Sequence, residues 1–356
     1  MSRSWWRFAL LLFSTAACIL AQRGRGGGGS SPVSPGPAEL VVRGTVTLAG
    51  GMPAERLIRV DRNCGGRTVN SVYADSKGKF SFDLGVLDTD LRSAGAAISN
   101  AGPITVASQN TLKTCVIRAS LLGYHPQAIS LEQAAKKPNL GDLVLEPIGK
   151  PAAPLLSVTD SDVPKNAKKD FDKGLDEAAK AKWQDAISAF EKAASGYKKF
   201  ATAWVSLGML QTARGDAAGA RKSFAQAIAA DDQFAAPYIE LAAIEAGAGD
   251  WGKTIEYSNK AIALDPDSFA LAYYLNAMAN VRLVNADAAD KSATAGLHVD
   301  QDHEYPDIAY IQGLLLASKG DQKGARKQFE DYLAIAPNGV NAAVAKQQLA
   351  ELPPGK

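Results

Sequence analysis

Histidine, cysteine and clustered acidic side chains are the groups best able to do chemistry, and in this chain they are few and scattered. The densest collection is "GLHVDQDHEYPD", where His298 and His303 stand among Asp300, Asp302 and Glu304. Two imidazoles with three carboxylates are a donor set that can hold a divalent metal. The step between the two histidines corresponds to no helical spacing that would fix them as ligands, so the segment reads as a solvated acidic connector and no metal is assigned. His125 lies far from both. No glycine-rich phosphate loop opens a helix, and no serine or cysteine has the sequence context of an activated nucleophile. The expectation is a protein without catalytic residues or cofactor.

Three cysteines remain to be placed. Cys18 sits in an N-terminal segment with Arg3 and Arg7 ahead of an apolar run from Phe8 to Leu20, too short to span a bilayer comfortably, and Ala21 suits the last position before cleavage. Residues 1–21 are read as a secretory signal peptide, an uncut membrane anchor being the alternative. "STAAC" is also similar to a bacterial lipobox, which would make Cys18 a lipidation site; Thr15 stands where that motif prefers leucine. Cys64 and Cys115 then belong to a chain maturing in an oxidising compartment, and a disulfide between them is expected. Closing that loop would stabilise by about 4 kcal/mol on the chain-entropy model. Two buried free thiols are the other reading.

The elements that must carry these groups follow from pattern. With 39 basic and 37 acidic residues the chain has no strong field to favour nucleic acid, and at 356 residues it has room for two or three domains. Residues 22–38, rich in Gly, Pro and Ser, form a tether. In "ELVVRGTVTL", Leu40, Val42, Val46 and Leu48 alternate as in a strand, with Gly44 between them. "VYADSKGKFSFDL" has turn chemistry at Asp75 to Gly78 followed by Phe80, Phe82 and Leu84, the pattern of a hairpin. "TCVIRASL" places Cys115, Ile117 and Ala119 on one inward face, and "GDLVLEP" supplies a last strand. Residues 39–147 are therefore expected to form an antiparallel β-sandwich. Its "VVRGTVTLAGG" and "SVYADSKGKFSFDL" resemble the carboxypeptidase regulatory-like, transthyretin-like sandwich, a resemblance that implies a structural or adhesive accessory. Residues 88–111 match no pattern. A linker, 148–166, follows, in which Leu155, Leu156 and Val158 are apolar enough to dock on a neighbour.

Beyond the linker the sequence repeats. Gly174, Gly208 and Ala242 are 34 residues apart; so are Ala186, Ala220, Thr254 and Ala288, and again Ala193, Ala227, Ala261 and Ala295. Small residues at a fixed period let antiparallel helices approach closely, and Gly215, Gly249 and Gly320 suit the left-handed turn between them. Trp204, Leu207, Gly208, Gly215, Ala220, Phe224 and Ala227 together resemble the tetratricopeptide repeat. Units are placed near Ala167, Ala201, Ala235, Phe269 and Pro306, the fourth degenerate with Asn276 at the small position and Ser292 where an aromatic is usual. The expected architecture is multidomain α and β: a β-sandwich, then an all-α solenoid over 167–338, with a cap helix and tail over 339–356.

The tetratricopeptide resemblance implies a protein or peptide partner bound in a groove on the first helix of each pair. The family's groove positions fall on Phe171, Leu175, Val205, Met209, Ile239, Tyr273, Tyr310 and Leu314, an apolar and aromatic stripe. The paired Lys and Asn of carboxylate-clamp members are missing from these places. The stripe either receives an apolar partner segment, or is core, or is covered by the sandwich folding back. The functional expectation is an exported scaffold of the bacterial cell envelope, periplasmic or lipid-anchored, touching membrane only through its N-terminus; a glycan-binding accessory acting through the sandwich is the alternative.

Overall fold

The computed structural model describes residues 39–50, 52–53, 56–64, 67–87, 106–107, 109–148 and 157–352. The signal segment with Cys18, the tether, most of 88–111, and Leu155 and Leu156 lie outside the described residues.

Alternation builds the N-terminal half. Strand β1 (Glu39–Leu48) buries Leu40, Val42, Val46 and Leu48; β5 (Lys79–Leu87) buries Phe80, Phe82 and Leu84; β7 (Cys115–Ser120) buries Cys115, Ile117 and Ala119. These faces meet between two sheets. In the first, β1 pairs with β2 (Met52–Pro53), β5 and β9 (Asn139–Leu145), and β5 pairs with β6 (Val106–Ala107). The second runs β4-β3-β7-β8, with β3 (Arg59–Cys64), β4 (Arg67–Tyr73) and β8 (Gln127–Ser130). Two short helices, α1 (Gln109–Thr114) and α2 (Leu131–Lys136), flank β7 and β8. Gly44 faces Phe80 across β1 and β5, and a Cβ there would lie 2.8 Å from the ring, so the missing side chain is where the aromatic sits. Cys64 and Cys115 are opposite one another in the β3–β7 register and form the disulfide.

Two features of this half differ from the sequence expectation. The pairs β1–β9 and β5–β6 are parallel in an otherwise antiparallel sandwich. The turn at Asp75 to Gly78 forms, with Asp75 Oδ1 accepting from the Lys77 and Lys79 amides at 2.9 and 2.7 Å. It does not close a hairpin, because β4 belongs to the second sheet and β5 to the first; it is a corner between layers. Strands of both layers alternate in the same sense, so inward pattern and turn chemistry do not say which strand is the pairing partner.

The helical half is five antiparallel pairs and a cap: α3 (Lys165–Ala179) with α4 (Trp183–Gly196), α5 (Ala201–Ala213) with α6 (Ala217–Ala230), α7 (Ala236–Ala248) with α8 (Trp251–Leu264), α9 (Ala270–Arg282) with α10 (Ala286–Val299), α11 (Asp307–Ser318) with α12 (Gln322–Ile335), then α13 (Ala342–Glu351). Gly174, Gly208 and Gly313 each lie under a phenylalanine of the partner helix: a Cβ would come within 2.5, 2.6 and 2.7 Å of the rings of Phe190, Phe224 and Phe329. Asp216, Asp250 and Asp321 cap α6, α8 and α12 by accepting backbone N–H bonds from Gly219, Lys253 and Gly324.

The fourth pair corrects the repeat register. Ala288 is exposed and Ala295 half-buried, while Ala289, Ala293 and Gly296 hold the buried places. The α9–α10 turn contains one residue more than the α7–α8 turn, which rotates every later contact of α10 by one position. Val284 takes the left-handed turn conformation there, at φ 62°, that Gly215 and Gly249 adopt at 80° and 77°. Asn276, at the small position, is accommodated by hydrogen bonds: its amide donates to Ser258 Oγ and Asn259 Oδ1, both at 2.8 Å, and its Oδ1 accepts from Ser292 Oγ at 2.7 Å. Val158, expected to dock, is 59% exposed. The short 3-10 helix it opens (Val158–Asp162) is held by polar contacts, Ser157 Oγ and the Val158 amide donating to Asp231 Oδ2 at 2.5 and 3.2 Å.

Candidate functional site

The first helices of the pairs, α3, α5, α7, α9 and α11, carry the stripe of residues assigned to the groove. Phe171 and Leu175 are buried in the first unit, Phe171 with its ring centroid 5.3 Å from Phe190 and 4.9 Å from Phe200. Ile239 is fully buried in a cluster continuous with the sandwich core, and Tyr273 is buried with its hydroxyl donating to Pro266 O at 3.1 Å. Tyr310 is half-buried against Phe329 and Tyr332, and Leu314 packs into the same terminal cluster. Val205 and Met209 are brought together on the wall of one cavity. The array therefore does not present an open apolar wall, because much of its first-helix side is covered by the chain's own second sheet.

That covering surface is built by strand geometry. With Val60, Ile117 and Ala119 turned into the sandwich, alternation forces Arg59, Asp61, Ser71, Tyr73, Arg118 and Ser120 onto the opposite face. Asp61 is buried there, taking Arg59 Nε at 2.9 Å and Ser71 Oγ at 2.5 Å. Apolar contacts come first along the chain: Leu57 and Tyr73 join the cluster of Phe171, Leu175, Phe190 and Phe200, and Tyr73 meets Trp183 edge to face at 5.8 Å. Ala235, Tyr238, Ile239, Phe269 and Ala272 continue the sandwich core from the other side.

Polar contacts then fix the register between the halves. Asp176 Oδ1 accepts from the Ser76 amide at 3.0 Å, and Ser268 Oγ donates to Ile148 O at 3.4 Å. Arg118 Nη2 donates to Glu304 Oε1 at 2.5 Å, and His125 Nδ1 lies 2.6 Å from Asp302 Oδ2. The acidic connector, solvent-exposed from Gln301 to His303, is thus also a clasp on the sandwich through Asp302 and Glu304. Asp300 within it accepts from the Glu304 and Tyr305 amides at 2.8 and 2.9 Å, and among the described residues no three His, Cys, Asp or Glu side chains converge as metal ligands. Burial raises the Glu304 carboxyl, an effect Arg118 opposes.

Between the sheet and helices α5, α7 and α9 remains a cavity of about 540 Å³. Arg56 and Glu240 both border it. Burial lowers the Arg56 guanidinium to about 10, and burial pushes the Glu240 carboxyl up to about 7, with Arg59 pulling it back. Asp160, bonded through both carboxylate oxygens to Thr202, is pushed up to about 6 by burial.

No protein-family model matches the chain, and no curated protein matches it. Among solved structures it is similar to MamA, at 20% identity over 49% of this chain and 93% of that one with a TM-score of 0.43. It is likewise similar to YrrB, described as a TPR protein with an unusual peptide-binding site, at 19% identity over 48% and 87% with a TM-score of 0.41. A thermophilic TPR protein of Thermus thermophilus, TTC0263, is similar at 19% identity over 52% and 99% with a TM-score of 0.37. The helical half is an array of antiparallel helix pairs by its own pairing and period, and the β half is described by its two sheets.

Sequence reasoning missed Arg56, Glu240 and the Arg118–Glu304 and His125–Asp302 contacts. Polar residues alternating with apolar ones on a strand signal only a face turned away from the core, and that face meets helices as readily as water when the helices supply partners.

Proposed function

We propose that the chain is an exported, non-catalytic scaffold of the bacterial cell envelope that binds protein segments on the first-helix wall of its repeat array. The observation supporting this most directly is that the wall already holds a protein surface: the sandwich docks along it from the first unit to the connector that precedes the fifth. A wall able to match a folded sheet in this way, with apolar patches ringed by charged pairs, has the character of a protein-recognition surface. Phe171, Leu175, Ile239 and Tyr273 serve the internal occupant and the array's own packing. A partner segment takes what the sheet leaves, at Val205 and Met209 beside the cavity and at Tyr310 and Leu314, which pack in a cluster without sandwich residues.

The test is site-specific photo-crosslinking in cells from Met209 and Leu314, with the exposed Lys222 of α6 as control. Partner adducts from the two wall positions and none from Lys222 are expected; adducts confined to Lys222, or absent from all three, overturn the reading. Mass spectrometry of the same sample locates the mature N-terminus, and a chain still beginning at Met1 in the cytosolic fraction overturns export.

A further inference from the structure

The cavity between the second sheet and helices α5, α7 and α9 contains two ionic side chains that the fold leaves unmatched. Arg56, in the segment before β3, is 7% exposed, and its Nε and Nη2 are buried with no hydrogen-bond partner among the described residues. Its guanidinium lies over the Phe234 ring at 5.4 Å. Nε and Nη2 together form the edge of a guanidinium that receives a carboxylate through two parallel bonds, and because both are closed off here, a carboxylate in the cavity reaches that edge once the Arg56 side chain turns toward it. The carboxylate whose charge it feels, Asp160, has both oxygens engaged with Thr202. Glu240 of α7 also lines the cavity; it is half-buried and makes no hydrogen bond to any described residue, and the charge acting on it is Arg59, which is itself held by Asp61.

A buried donor edge left unmade is costly, and native folds leave few of them without a reason. Here there is one group of each sign, on opposite halves of the molecule, and the rest of the lining is partly apolar, with Leu121, Leu122, Phe269 and Leu271 among it. The volume is that of ordinary small-molecule sites. We propose that this cavity binds an elongated dipolar small molecule: a carboxylate received by Arg56, a hydrogen-bond donor such as a primary ammonium received by Glu240, and an apolar stem between them. Because Arg56 belongs to the sandwich and Glu240 to the array, the molecule binds only the docked arrangement and holds the two halves together.

The full-length mature chain is titrated calorimetrically with a series of straight-chain amino acids bearing the amine at the chain end (aminohexanoate, aminooctanoate, aminododecanoate), and with the matching alkyl carboxylates and alkylamines. Tetraalanine with free termini serves as a second arm that separates a peptide stem from a polymethylene one. The expected result is a single optimal span whose doubly charged ligand binds at least about tenfold more tightly than either singly charged chain of equal length. Arg56→Lys should abolish the advantage over the alkylamine, and Glu240→Gln the advantage over the alkyl carboxylate, with each variant's melting curve confirming that it is folded. A variant that does not fold is replaced by the wild-type comparison, which needs no substitution. Equal binding of the singly and doubly charged chains, or no binding at any length in either arm, overturns the proposal.

Discussion

Gly208 shows how one absent side chain sets a helix contact. The Phe224 ring occupies the place of its Cβ, so Gly208→Ala forces a shift of that ring or of α6. The expected loss is about 1–3 kcal/mol by urea unfolding, despite alanine's better helix propensity. Glu240 gives a second test at this scale. Its pKa in the folded chain, about 7, is raised above the ordinary carboxylate value, so the folded state holds a proton that the unfolded state has released. Stability is therefore full below about pH 4.5, falls as pH rises through 7, and levels above it. Glu240→Gln should remove a slope on the order of 1–3 kcal/mol across that window. Melting temperatures between about pH 4 and 8 read it out, and an unchanged profile in the variant would show that the carboxyl is not desolvated.

At the scale of elements, the inward faces of β1, β5 and β7 and the first three helix pairs were legible in the sequence, because each rests on a period that backbone geometry imposes. Two things were not legible. Whether the turn at Asp75 joins partners or layers depends on which sheet each strand enters, and alternation is blind to that. The one-residue offset of α10 was hidden because Ala288 and Ala295 continue the 34-residue spacing while their neighbours Ala289 and Gly296 do the packing; alanines are dense enough here for two registers to look alike. The offset also places Val284, a β-branched residue 83% exposed, in a left-handed conformation. Val284→Gly is expected to stabilise by about 1 kcal/mol, measured as a shift in the urea midpoint at unchanged slope.

Across the whole molecule, docking joins residues that no local pattern relates: Arg118 and Glu304 are 186 positions apart, and His125 and Asp302 are 177 apart. Each of those four side chains is polar and ordinary in its local sequence, so the array and the sandwich read as separate bodies until they are seen together. A double-mutant cycle of Arg118→Gln and Glu304→Gln is expected to give a coupling of about 0.5–3 kcal/mol, since both side chains are about a quarter exposed. Amide exchange in β3 and β7 should accelerate in either single variant. Strict additivity with unchanged exchange would show the clasp to be ornamental.

The order in which these contacts become available has its own consequence. Synthesis delivers the sandwich first and Glu304 only after four helix pairs, so while the chain emerges from the ribosome the sheet's charged face has no clasp to meet. The final assembly step must therefore await that late connector, and a nascent chain stalled ahead of it should hold a folded sandwich beside a growing helical stack with their mutual seam still unsealed.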